Sequence, residues 1–182
     1  MNRKTLLAQF SMILITMIWG ITFVMIKNAL NDAPPFIFAS LRFGIAFILG
    51  AFYIYKKIKY ISMIEIWGGI MCGFLLFAGY AFQNFGLILT TPSKSAFITS
   101  VSVILVPILL IVLRLQRIEI KIWIVVLFTA LGLYILLNPM GQGINWGDII
   151  TFGCALSFAF HIIFQDIYIK KEVDIVRFFT MQ

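Results

Sequence analysis

Charge is scarce in this sequence, and negative charge most of all. Seven Asp and Glu, one His, two Cys and five Pro occur in 182 residues. Charged residues make up 12% of the chain, about half the share in an ordinary soluble protein. Each shortage excludes something. With so few polar side chains, a soluble fold of this size could not cover its apolar interior. One His and two distant Cys cannot assemble a metal cluster. Cys72 and Cys154 lie in apolar runs without a C-x-x-C partner, so they read as packed thiols. There is no H-E-x-x-H, no G-x-S-x-G and no Gly-rich phosphate loop. The acids Asp32, Glu65, Glu119, Asp148, Asp166, Glu172 and Asp174 all fall in loops or near helix ends. A proton-coupled carrier built on a central carboxylate is therefore disfavoured. No cofactor, metal or catalytic residue is expected, and the chain is not read as an enzyme. Intramembrane chemistry on His161 would lack partner groups.

What is abundant is apolar. Hydrophobic residues reach 62%, and mean hydropathy is +1.05. A bilayer core about 30 Å thick needs about 20 apolar residues of helix. Six runs approach that length: Leu6–Ile26, Pro35–Tyr55, Ile66–Leu89, Ser95–Leu113, Ile122–Leu137 and Gly147–Ile169. Breakers separate them at Asn31–Pro35, Thr91-Pro92 and Asn138–Gly141. The first run is too long for a signal-peptide core and no A-x-A-like site follows it. The expected fold class is all-α, a polytopic transmembrane helix bundle.

The net charge of +7 is distributed unevenly. Arg3 and Lys4 precede the first helix. Lys56, Lys57 and Lys59 follow the second, Arg114, Arg117 and Lys121 the fourth, and Lys170, Lys171 and Arg177 the sixth. If the helices alternate, these all lie on one side, which predicts a cytoplasmic N-terminus in a multi-pass cell-membrane protein. Topology accounts for the charge, and no nucleic acid is expected as a partner. Lys27, Arg42 and Lys94 remain, near the opposite face. Interfacial anchoring is one reading for them, and for Arg42 snorkelling. The other is an electropositive outer vestibule that meets an anionic group on a solute.

Polar residues fall on helical stripes: Thr16, Gly20, Phe23 and Lys27 with Trp19 at the edge; Gly79, Gln83 and Gly86 with Asn84 beside them; Ser95, Thr99 and Ser102; Ser157, His161 and Gln165. Small and hydroxyl residues of this kind let helices approach closely, as does Gly69-x-x-x-Gly73. Gln83, Asn84 and His161 are costlier to bury and are the better cavity candidates. Pro107 interrupts the backbone ladder of the fourth helix, which predicts a kink there.

Several motifs in order carry a family resemblance. They are Trp19-Gly20-x-x-Phe23-x-x-x-Lys27, Pro34-Pro35 through Leu41-Arg42-Phe43, and Gly79-Tyr80-x-Phe82-Gln83-Asn84-x-Gly86-Leu87. Thr90-Thr91-x-Ser93-Lys94-Ser95-Ala96-Phe97-Ile98, Val106-Pro107 and Gly147-Asp148 complete the set. With these the chain resembles the EamA-type transporters of the drug/metabolite transporter superfamily. The resemblance implies ten helices in two inverted five-helix repeats. Residues 1–139 would form the first repeat. Residues 140–182 would start the second, with helix six and the beginning of helix seven, and the chain would be a truncated piece. It also implies export or exchange of small metabolites, amino acids among them, by alternating access. The residues chosen to line the substrate path are Trp19, Phe23, Tyr80, Gln83, Asn84, Thr99, Ser102 and His161, with Arg42 and Lys94 drawing in an anionic group. The expected partners are a small-molecule solute and the lipid bilayer. The alternative is a non-transporting or truncated membrane subunit that needs a partner chain or a homodimer. The one-sided charge opposes the dual topology such a homodimer would require.

Overall fold

The computed structural model describes residues 3–32, 34–137, 143–171 and 173–182. The described residues form helices and no strand. The helices are α1 (Arg3–Asp32), α2 (Pro35–Ile54), α3 (Met63–Leu89), α4 (Pro92–Ser100), α5 (Ser102–Val112), α6 (Ile120–Leu137), α7 (Trp146–Ile169) and α8 (Ile175–Met181). A six-residue 3₁₀ segment, Tyr55–Tyr60, follows α2. Among the described residues, five stretches are long and apolar enough to cross a membrane: Thr5–Asp32, Pro35–Tyr60, Met63–Leu89, Pro92–Val112 and Trp146–Ile169. The apolar stretch Ile120–Gly132 is shorter. The turn expected at Asn138–Gly141 lies outside the described residues. The chain is a multi-pass, all-α membrane protein, as the apolar runs predict.

Local chemistry sets the helix starts. Pro35 and Pro92 open α2 and α4, where a missing N–H costs nothing. Ser62 and Glu65 form a reciprocal capping box at α3, and Asn145 and Asp148 form another at α7. The fourth apolar run departs from expectation. The helix continues through Pro107, and its interruption falls at Val101, between α4 and α5. There the Val101 N–H bonds to the Ile98 carbonyl, three residues back. A proline ring crowds the carbonyl one turn before it, so the preceding turn absorbs the strain.

The core is the seam between α3 and α7, which run antiparallel. Gly86 meets Thr151 and Gly147, Gly79 meets Phe158, and Gly68 meets Tyr168. Each glycine removes the side chain that would hold the backbones apart. Helices α4 and α5 pack on the same α7, which buries Ser95, Thr99 and Ser102. The Gly69-x-x-x-Gly73 pair instead receives Met181 and Gln182 at the end of α8. Outward faces are apolar throughout, with Ile48, Phe52, Phe74, Phe128 and Tyr134 all well exposed. In a bilayer these faces meet acyl chains.

Candidate functional site

The path residues chosen from sequence separate into four places. The first is an aromatic wall. Trp19 of α1 sits 6.3 Å, ring to ring, from Phe23 and 6.3 Å from Phe158 of α7. Phe158 meets Tyr80 of α3 edge-on at 5.4 Å, and Tyr80 meets Phe43 of α2 edge-on at 5.2 Å. Arg42 closes the row. Its guanidinium carbon lies 4.6 Å from the Tyr80 ring centre, and Nη2 donates to the Tyr80 hydroxyl at 3.3 Å. Four helices thus supply one continuous row of ring contacts ending in a cation. Phe23 and Phe158 are buried, while Trp19 is 39% exposed.

The second place is polar and closed. Gln83 Nε2 donates to Thr99 Oγ1 at 3.4 Å and lies 3.8 Å from Cys154 Sγ. Thr99 Oγ1 and Cys154 Sγ are 3.7 Å apart. All three residues are buried where α3, α4 and α7 meet, with Ser102 buried one turn beyond Thr99. Asn84 is buried next to Gln83, and among the described residues its Oδ1 has no hydrogen-bond partner. Burying a primary amide in apolar surroundings is costly unless it is bonded, which explains the Gln83 cluster and makes Asn84 conspicuous.

The third place is an end of the bundle. Lys94 Nζ lies 3.1 Å from Asp148 Oδ2, and both side chains are almost fully buried. Lys94 also donates to the Gly143 carbonyl, and Thr90 Oγ1 donates to Asp148 Oδ1. At the same end Lys27 Nζ donates to the carbonyls of Leu87, Ile88 and Thr90, at 2.5, 2.9 and 3.1 Å. Those carbonyls end α3, where a cation is favoured. Lys94 and Lys27 are thus taken up in holding helix ends, and neither lines an open vestibule.

The fourth place is a cavity of about 440 Å³ lined by Phe43, Ala46, Phe47, Leu76, His161, Phe179, Thr180 and Gln182. His161 Nε2 is 3.0 Å from Gln182 Oε1 there. His161 is therefore separate from the Gln83 cluster, and Phe43 links its cavity to the aromatic wall.

Three functional elements escaped the sequence reading. Phe158 and Phe43 join the aromatic wall, and nothing in a Phe-rich helix marks one Phe above its neighbours. Asp148 pairs with Lys94 across the seam. Glu65, also buried, accepts from the Ser62 and Asp174 amides and from Arg177 Nε and Nη2 at 2.7 to 3.1 Å. The patterns Ser62-x-x-Glu65 and Asn145-x-x-Asp148 signal both carboxylates as helix caps, though not their distant partners. Among the described residues no three His, Cys, Asp or Glu gather as a metal site would require.

These features define a polytopic all-α membrane protein whose interior carries aromatic and amide side chains and whose helix ends carry ion pairs. The chain belongs to the EamA-like transporter family, which matches residues 6–138. It is 33% identical over 162 residues to an uncharacterized transporter of Archaeoglobus fulgidus. That alignment covers 87% of this chain and 49% of the relative, so the chain spans about half the relative's length. No solved structure matches.

Proposed function

We propose that this chain belongs to a carrier that exports or exchanges small metabolites, such as amino acids or amphipathic solutes, by alternating access. Residues 1–139 act as its first repeat, and residues from 140 onward open the second. The carrier sits in the cytoplasmic membrane with its N-terminus inside, which the clustered basic loops favour.

One observation carries this reading. The aromatic wall is built jointly by α1, α2 and α3, which this reading assigns to the first repeat, and by α7, which it assigns to the second. A solute against Trp19 and Tyr80 sits over the junction that buried Phe158 makes between the halves, so relative movement of the halves changes its exposure. Ring faces give apolar contact while the neighbouring hydroxyl, amide and guanidinium groups replace water.

Counterflow in proteoliposomes tests it. Vesicles carrying the purified protein are loaded with a mixture of amino acids and aromatic carboxylates, and tracer entry is followed. Saturable, protein-dependent flux is expected. Tyr80→Ala should lower it by roughly tenfold, the usual scale for losing one well-packed aromatic contact. Folded protein that moves no member of the mixture would favour a non-transporting subunit.

A further inference from the structure

Four charged side chains in or beside the apolar layer define the question. Lys27 has three carbonyls, Lys94 has Asp148, and Glu65 has Arg177. Arg42 has none of these. It lies seven residues into α2, about 10 Å along the axis from Pro35. Among the described residues its single hydrogen bond is to the Tyr80 hydroxyl, and no carboxylate pairs with it. A guanidinium carries five N–H donors in a flat fork that matches a carboxylate. Contact with an aromatic ring leaves those in-plane donors available. An ionised side chain kept in an apolar layer without a protein counter-ion marks a place where a ligand supplies one.

What surrounds Arg42 limits that ligand. The Tyr80, Phe158 and Trp19 rings follow one another away from the guanidinium. Tyr80 is half-buried and Trp19 is 39% exposed, so these two leave apolar ring surface free, while Phe158 is buried between them and the Tyr80 hydroxyl is already engaged by Arg42. A solute with an anionic head at Arg42 therefore lays an apolar body along the wall. A cationic solute would meet a like charge at the head of the same row.

We propose that Arg42 is the anion-binding group of the path, and that the path takes amphipathic monocarboxylates with an apolar or aromatic body. The assignment rests on the carrier reading above and gives its solute a charge.

Binding of three matched probes tests it, using the purified protein in phosphatidylcholine nanodiscs at pH 7, with empty nanodiscs as the blank. The probes are 3-phenylpropionate, 3-phenylpropanamide and 3-phenylpropylamine, which share one body and differ in head-group charge. Tryptophan fluorescence reports occupancy. The acid should bind about ten- to a hundredfold more tightly than the amide, the range for charge-assisted bonds, and the amine more weakly than either. Arg42→Gln should bring the acid down to the level of the amide in the same variant, with circular dichroism and the elution profile showing that the variant is folded. Arg42→Lys, which keeps the charge without the fork, should fall between. Equal binding of acid and amide by the unaltered protein would overturn the assignment and leave Arg42 as a snorkelling side chain. So would an acid preference that survives in Arg42→Gln. Counterflow separates the two readings. Flux without charge preference would sink the anion site and leave the carrier. An acid preference that depends on Arg42, in protein that moves no probe, would sink the carrier and leave the site.

Discussion

A cation held against a bilayer needs a partner, and residues Lys27, Lys94 and Arg42 find three different ones. Helix-end carbonyls take Lys27, a carboxylate takes Lys94, and a tyrosine ring with its hydroxyl takes Arg42. The Lys94–Asp148 pair is the costliest to disturb, because removing one member leaves the other buried and uncompensated. Lys94→Ala should cost roughly 3–5 kcal/mol, read as a lowered unfolding midpoint in detergent. The apolar double variant Lys94→Met with Asp148→Leu should recover much of that loss. A single variant as stable as the parent would show that water or lipid head groups already satisfy the pair. Sequence revealed Lys94 as an outlying cation and Asp148 as a helix-start acid. Their meeting was not legible, because it depends on how α7 docks against α3 and α4.

At the scale of helices, the α3–α7 seam depends on missing side chains. A Cβ at Gly147 would fall 2.7 Å from the Gly86 carbonyl oxygen, and one at Gly86 would press on Thr151 and on the Gly147 carbonyl. Gly86→Ala should therefore destabilise the bundle by about 1–3 kcal/mol through forced separation of the two backbones. Gly20→Ala meets no atom within 4 Å and should be neutral or stabilising, by up to about 1 kcal/mol from helix propensity. Unfolding midpoints of the two variants under the same detergent decide this, and equal effects would contradict the seam. The short α8 is tied down by Asp174, whose carboxylate accepts from the Val176 and Arg177 amides and pairs with Lys57 at 3.8 Å. The Arg177 backbone N–H, above all, holds the Asp174 carboxyl below its ordinary value of 3.8. A depressed folded pKa stabilises above the unfolded value and is lost as pH falls through the folded one. The unaltered protein and Asp174→Asn should differ most in midpoint above about pH 4 and converge below it; a difference that does not depend on pH would contradict the cap. Most of this level was legible. Five of six apolar runs became full-length spans, and the small-residue stripes of α3 and of α4 with α5 predicted close helix faces, while Thr16 and Gly20 of α1 lie open. The break at Val101 was not legible. A proline names the helix it disturbs, while packing decides which nearby turn yields.

Across the whole molecule, charge and aromatic residues sort by position. The Lys57–Asp174 and Arg177–Glu65 contacts gather basic groups at one end, and the Lys27 and Lys94 clusters occupy the other. Between them runs the ring series from Trp19 to Phe43, which sequence gave only as separate aromatics on separate helices. Helix-face arithmetic located Phe23, which is buried, with Trp19 at the edge of its stripe, and the family motif supplied Tyr80. The arithmetic could not separate the buried Gln83–Thr99–Cys154 cluster from the ring series, since residues of both use inward faces. The central claim is that the wall borders a water-accessible solute path. The most direct measurement is labelling of single-cysteine variants by a charged, membrane-impermeant maleimide, in a background of Cys72→Ala and Cys154→Ser. Tyr80→Cys should react, and a bound aromatic solute should slow it. Phe128→Cys, on an outward apolar face, should stay silent. If Tyr80→Cys is as unreactive as Phe128→Cys in folded protein, the wall is sealed packing and the account fails.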